Sequence, residues 1–415
     1  MRLPCFLAAL GLALTSVLGQ PLPREFPLTP ERVEVAPDYL TQLPVPRATC
    51  AAVCDRLSVV AVGHHSKEGT QVALFPLDAA GKPGAEPLRI PLPKPEALAA
   101  HANYPLGLLF HPKLPLLYVW QDIDSLPKEQ QDEKNPAFAP WLEFDHLLIY
   151  AVNGQSLDLV HSGARGAGFH LGQAGGTVGL DFELRHLFVP NTRGETPEEG
   201  GLACYPLDAN GLPENDLEEA AERRKLGGEE VPVEKSAANK KARRIKPKKD
   251  VSCRKVPTGL GWHAGREAMV MGGHMGCLMA DFHDGSLRRA WFDTNELATL
   301  GWASIAGHPE KPVLYMCLEG SRFAYSIGQV NGWISLLPQK ATLAGNVLLQ
   351  GPPVVLSKQG KVAFGDAKSI QLFGLAPDGR FDGTCTQIPL PAGAIHGLAY
   401  SEKHARLYVA VDPQN

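Results

Sequence analysis

A segment of nine residues, FPLDAAGKP from Phe75 to Pro83, returns as YPLDANGLP from Tyr205 to Pro213. A looser copy, FGLAPDGRF, runs from Phe373 to Phe381. Each copy sets an aromatic residue, then a leucine, then a turn glycine at a fixed distance. The same strand-turn-strand shape recurs in VNGQSLDLV from Val152, FHDGSLRRAW from Phe282 and VNGWISLL from Val330. Asn-Gly and Asp-Gly between apolar runs are strong hairpin signals, because both central residues of a tight hairpin turn want positive φ. Six hairpins are therefore expected, turning at Gly81, Gly154, Gly211, Gly285, Gly332 and Gly379.

A second unit lies upstream of each hairpin: an apolar strand, a polar or proline turn, and a strand rich in Tyr and Val. LGLLFHPKLPLLYVW from Leu106 is the clearest copy, followed by GTVGLDFELRHLFVP from Gly176, WASIAGHPEKPVLYM from Trp302 and HGLAYSEKHARLYVA from His396. Weaker copies begin at Thr49, Leu260 and Pro352. Seven strand pairs with six following hairpins describe four-stranded antiparallel units in tandem. The units begin near residues 48, 104, 175, 258, 302, 351 and 393, so the last three spacings are 44, 49 and 42 residues. Those match a propeller blade of about 40–45 residues. The longer early spacings imply insertions at Lys94–Asn103, Asp122–Asp145 and Glu214–Val251. Helical periodicity is nearly confined to the insertions.

The expected fold class is all-β: a seven-bladed β-propeller of four-stranded antiparallel blades, with loop or helical insertions in the first three. A chain of 415 residues would ordinarily divide into two or three domains. A repeat running from residue 48 to 415 makes one ring the simpler arrangement, since radial packing hides sheet edges that a linear array would expose. The seventh unit ends at Asp412 with no outer hairpin after it. Within the leader, residues 20–47, the segment Phe26 to Ala36 with its alternating RVEV could supply the closing outer strand. The alternative is an unstructured leader, because prolines crowd it at 21, 23, 27, 30 and 37.

The LYV-type second strand and the LDxxGxP hairpin resemble the seven-bladed propellers of the lactonase-like, YVTN-repeat group. The resemblance spans Thr49 to Asp412, and no Trp-Asp dipeptide points to the WD-repeat branch. It implies a fold. It implies activity only broadly, because the group includes 6-phosphogluconolactonases, muconate-lactonizing enzymes and exported proteins without assigned chemistry. No active-site motif of those enzymes is matched residue by residue.

Residues 1–19 read as a secretory signal peptide: a cation at Arg2, an apolar run from Phe6 to Leu14, and Val17 and Gly19 at the −3 and −1 positions of a cleavage site. The run is too short for a transmembrane segment, and Cys5 precedes it, unlike a lipoprotein cysteine. An exported protein, periplasmic or extracellular, is expected. Seven cysteines then remain, an odd number that does not make a disulfide framework. Cys204 and Cys253, flanking the third insertion, are the candidate disulfide; they could pair if neighbouring strands bring them together.

Propeller ligands usually sit where the loops entering the innermost strands converge. Those loops would gather His101, Asn103, Tyr104, His170, Trp262, His263, Trp302 and His396 as channel-mouth binding candidates. Histidine titrates near neutrality, so such a group could move protons. No carboxylate accompanies them in sequence, and surface loops collect histidines for no chemical reason. The expected partner is a small molecule or a protein at this mouth. HExxH, a nucleophile elbow and the SxxK set are missing. GLGWHA from Gly259 fits a dinucleotide fingerprint only superficially, since β-rich sequence follows it. No metal and no cofactor are expected. His64-His65 and the pair His274 and His283 are the remaining metal candidates, but adjacent residues on a strand point to opposite faces.

The third insertion is strongly polarised. Asn215 and Glu218 form a capping box ahead of helix formers up to Leu226, and Glu219 and Arg223 stand four apart in the favourable order. Lys235 to Lys249 then carries eight basic and no acidic residues in a chain of net charge −4. Such an arm could make a weak contact with an acidic polymer. Seven acids between Glu214 and Glu230 offset it, and no aromatic residue interleaves it for base stacking, so no specific nucleic acid is expected.

Overall fold

The computed structural model describes residues 25–26, 31–33, 35–66, 69–92, 103–123, 147–154, 156–162, 179–180, 184, 186–191, 201–212, 243–245, 259–263, 268–273, 276–281, 286–289, 303–318, 323–330, 333–334, 339–343, 352–366, 369–390 and 393–413. Their strands form seven sheets, and one 3-10 turn, Ser357–Gln359, is the helical element among them. The first four sheets are four-stranded and antiparallel, each laid down in chain order from the inside outward. The first runs Ala48–Cys54, Val59–Ser66, Gly69–Pro76 and Leu88–Pro91; the second runs Asn103–Phe110, Leu116–Ile123, Leu147–Asn153 and Ser156–Ser162. The third has Gly179–Leu180, His186–Asn191, Gly201–Pro206 and Arg243–Ile245, and the fourth starts at Gly259–His263. The fifth starts at Ala303–Gly307, the sixth at Val354–Leu356 and the seventh at Ala394–Ser401.

Neighbouring sheets pack face to face, and the cores lie between them. Residues 116–120, the first five of the strand Leu116–Ile123, show why their sequence is a continuous apolar run. Leu117 and Val119 enter the core shared with the first sheet, while Leu116, Tyr118 and Trp120 enter the core shared with the third. A strand buried on both faces needs apolar residues at every position. Arg406–Asp412 obeys the same rule: Leu407, Val409 and Val411 face the sixth sheet, and Tyr408 and Ala410 face the first. Innermost strands also touch in order, with Ala394–Ser401 against Ala48–Cys54 and Ala48–Cys54 against Asn103–Phe110. This is β-propeller packing.

The alternation fixes a repeated latch. The tyrosine of each LYV strand points at the next sheet, and its hydroxyl donates to the carbonyl of that sheet's hairpin glycine. Tyr118 meets Gly211 at 2.7 Å, Tyr315 meets Gly379 at 2.6 Å and Tyr408 meets Gly81 at 2.7 Å. All three glycines have positive φ, from 75° to 89°, Gly81 following Ala80, Gly211 following Asn210 and Gly379 following Asp378. An aspartate at the same place in two of the copies braces the turn: Asp78 Oδ1 accepts from Ala80 N and Lys82 N, and Asp208 Oδ1 accepts from Asn210 N and Leu212 N. Gly154 likewise turns at φ 62°, whereas Gly285 and Gly332 lie outside the described residues.

The leader does something its prolines do not suggest. It runs along the outer edges of three sheets and adds a parallel strand to each. Glu25–Phe26 pairs with Gln339–Thr342, Glu31–Arg32 with Phe381–Pro389, and Leu40–Pro44 with Arg406–Asp412. The closing strand is therefore Leu40–Pro44, not the RVEV segment expected between Phe26 and Ala36. The reason is burial: Leu43 and Val45 are almost fully enclosed, while Glu31 and Arg32 are exposed on the rim.

A second departure concerns the basic run. Arg243–Ile245, inside Lys235 to Lys249, forms the outermost strand of the third sheet and pairs with Gly201–Pro206. The rest of that run, the expected helix before it and most of the other two insertions lie outside the described residues.

Candidate functional site

In every long hairpin pair, the tight turn after the innermost strand marks one end of the sheet, called here the turn end. The opposite end, where the innermost strand begins, is the mouth. Three adjacent innermost strands carry the same irregularity near the mouth. A β-bulge separates Ile395 from Gly397, Ala48 from Cys50, and Pro105 from Gly107. The extra residues are His396, Thr49 and Leu106. Bulges bend a strand and re-aim the side chain of the additional residue.

Close backbone approach fixes the first of these bulges. A Cβ on Gly397 would lie 2.5 Å from the Ala51 nitrogen, so the seventh and first innermost strands touch where only glycine fits. Gly393, at φ 140°, is pressed against the Asp412 carbonyl in the same way. His396 is thus held between two points that cannot move. Its ring is half-buried, and Nε2 is buried with no hydrogen-bond partner. Burial holds its pKa below the ordinary imidazole value, and the nearby Asp412 carboxylate works in the other direction. The result is a neutral imidazole whose buried Nε2 is unsatisfied among the described residues.

Its neighbours offer little reactivity. Thr49 Oγ1 donates to the Gly63 carbonyl at 3.1 Å, which ties the second bulge to the adjacent strand. Burial pushes the Cys50 thiol up to about 12, so it is no thiolate nucleophile. His64 lies toward the mouth on Val59–Ser66 and is 1% exposed. Arg89 Nη1 lies 3.3 Å from its Nε2, and arginine only donates, so the imidazole must be neutral there. Burial first, then Arg89 and His65, push its pKa down to about 4. Among the described residues no three His, Cys, Asp or Glu side chains gather as a metal site.

The expected mouth group is only partly brought together. Asn103 and Tyr104 begin their innermost strand, on the same end as His396 and two strands away from it. Trp262 and His263 do not join them. Gly259–His263 is itself the innermost strand, and His263 faces Ala268 in the pair next to the turn. That is the position of Cys54, Phe110 and Ser401, at the turn end. The two glycines of Gly259–His263 suggest a loop ahead of the strand, but they lie within it. His101, His170, Trp302 and Cys253 lie outside the described residues, and of Cys204 only the backbone pairing, with Phe188 and Arg243, is described. The bulge itself was missed, although Leu106-Gly107 and His396-Gly397 carry it in sequence as a residue followed by glycine at the start of an innermost strand.

No family model matches the chain, and no curated protein matches it. Solved structures do. A protein from Lactobacillus plantarum superimposes with a TM-score of 0.55 at 10% identity, over 85% of this chain and 88% of that one. The periplasmic gluconolactonase PpgL of Pseudomonas aeruginosa gives 0.47 at 16% identity, over 85% and 88%. An auxiliary nutrient-binding protein of Bacteroides thetaiotaomicron gives 0.44 at 10% identity, over 83% and 81%. At these identities the likeness is one of fold alone, and it agrees with the β-propeller packing described above.

Proposed function

We propose that this chain is an exported seven-bladed β-propeller, each of the seven sheets a blade, that binds a small molecule or a partner protein at the mouth. The contact surface is the stretch framed by His396, Thr49 and the Asn103–Tyr104 strand start, and the protein acts as a scaffold without chemistry there. The observation that carries this reading is His396: an imidazole fixed by a bulge, kept neutral by burial, with an unsatisfied Nε2. A buried polar atom without a partner costs about 1–3 kcal/mol, and a ligand that supplies the missing bond recovers it. No described group beside it is a competent nucleophile, which supports binding over catalysis.

A second reading rests on Asp412. Its carboxylate acts on His396 electrostatically, and an acid-oriented histidine could serve a lactone-ring hydrolase or cycloisomerase, 6-phosphogluconolactonase-like in its reaction. Purified mature protein offered 6-phosphogluconolactone, δ-gluconolactone and muconolactone distinguishes the two. The scaffold reading expects hydrolysis no faster than the buffer rate, with or without His396→Ala. Turnover that falls by about 10²–10⁴-fold in His396→Ala establishes the enzyme instead.

A further inference from the structure

The latch between the second and third sheets differs from its counterpart between the fifth and sixth. In the latter the turn reads GHPEKP, and Lys311, third after His308, lays its stem over the hairpin: its Cδ would lie 3.1 Å from a Cβ on Gly379. In the former the turn reads FHPKLP. Leu114 takes the covering place, with its Cδ1 2.9 Å from a Cβ on Gly211, and the lysine stands one residue earlier, as exposed Lys113. An apolar floor and a cationic rim replace a lysine stem.

A cleft of about 390 Å³ opens there, bounded by His111, Lys113, Leu114, Leu184, Leu207 and Asp208. His111 Nδ1 accepts from Lys113 N at 3.1 Å and Leu114 N at 2.9 Å, so the neutral ring carries its proton on Nε2 as a donor. Asp208 spends Oδ1 on two hairpin amides, while among the described residues Oδ2 has only a 3.5 Å contact from the Asn210 amide. Leu184 is held at φ 59°, a left-handed conformation that costs a leucine about 1–2 kcal/mol. Such strain persists where the surroundings over-determine it, and it gathers at ligand sites.

We infer that this cleft binds a free α-amino acid with an apolar side chain. The carboxylate meets Lys113 and the His111 Nε2–H, the ammonium meets Asp208, and the side chain lies on Leu114, Leu184 and Leu207. Among the described residues the rim carries one charge of each sign, Lys113 and Asp208. A simple carboxylate would face Asp208 unpaired, and a simple amine would face Lys113, whereas a zwitterion satisfies both. The volume lies at the lower end of ordinary small-ligand pockets. The cleft is at the turn end, so it stands apart from the mouth and from the function proposed there.

Isothermal titration of the purified mature protein with L-leucine, L-leucinamide and N-acetyl-L-leucine tests this. L-leucine is expected to bind with a submillimolar Kd, and each blocked derivative at least roughly tenfold more weakly, the scale of one lost charge pair. Asp208→Asn, which keeps an oxygen for the hairpin amides, and Lys113→Met should each weaken L-leucine by the same factor. Lys311→Met, at the other latch, should change nothing. No binding of L-leucine at about 10 mM, or less than that tenfold discrimination against either derivative or by Lys113→Met, overturns the assignment. Lys113 is exposed, so the Lys113→Met result stands even if Asp208→Asn unfolds the hairpin.

Discussion

Two histidines of the turn end and one of the mouth are held in opposite ways. At the turn end, His111 and His308 each accept two backbone amides at Nδ1, from Lys113 and Leu114 in one case and from Glu310 and Lys311 in the other. At the mouth, His396 Nε2 has no partner, and the bulge that carries it breaks the ladder. The turn end also holds the three tyrosine latches and links between neighbouring turns. Asp55 accepts from Ser401 Oγ and from Lys403 N, Glu402 accepts from Ser357 Oγ, and Arg56 donates to the Lys113 carbonyl. The turn end joins sheets through these groups, although His404 Nε2 is buried without a partner there too. At the mouth the unsatisfied nitrogen sits on a bulge between two fixed glycines, in a stretch with no such links between turns among the described residues.

The largest test of that contrast is at the seam. Replacing Tyr118, Tyr315 and Tyr408 by Phe leaves three buried glycine carbonyls without their donors. Each substitution should cost about 1–2 kcal/mol. The three lie in different interfaces, so the losses should nearly add, to roughly 3–5 kcal/mol in the triple variant. Denaturant unfolding of the single and triple variants measures it. A triple variant within about 1 kcal/mol of the parent would mean that the latches merely accompany packing.

This seam is also the part the sequence displays. Phe75 to Pro83 and Tyr205 to Pro213 repeat because the hairpin glycine, its aspartate and the incoming tyrosine form one geometric unit, and a unit used three times leaves three similar strings. Residues 116–120 were readable because double-sided burial forces an unbroken apolar run. The mouth was less legible, for a physical reason. A bulge shifts register by one residue without changing composition, so His396 could be named as a candidate but not distinguished from His263, which the register sends to the other end. Closure by Leu40–Pro44 was hidden because a parallel edge strand needs no turn beside its partner and so leaves no turn signal.

Acid should probe the mouth side next. His64 is 1% exposed and its pKa is pushed from 6.5 down to about 4. The unfolded chain therefore takes up a proton near pH 6.5 that the folded chain refuses until about pH 4. Stability from this group is complete above pH 6.5, falls as pH drops through that window, and levels off below about pH 4. The loss is about 3 kcal/mol at 1.36 kcal/mol per pH unit. His111, His308 and His396 are shifted in the same direction and steepen the fall. His64→Gln, which keeps an acceptor for Arg89, should remove the His64 share from a plot of unfolding free energy between pH 7 and 4. An unchanged slope would show that burial and Arg89 do not hold His64 neutral in the folded chain.

The smallest expected effect has the opposite sign and bears most directly on the mouth. His396→Leu removes the unsatisfied Nε2 and puts a side chain of similar bulk on the bulge. Taking a polar atom away from a site that never paired it should be neutral or stabilising, by up to about 1 kcal/mol. Gly393 and Gly397 set the backbone around it whatever residue stands at 396, so the bulge should survive. Urea midpoints of parent and variant at pH 7.5 measure this, since the histidine is uncharged in both states there and no protonation difference enters. A gain in stability would mark His396 as a group retained at a cost to the fold, as binding residues commonly are. A loss of more than about 1 kcal/mol would mean that the imidazole is structurally engaged, and that the mouth is a seam like the turn end.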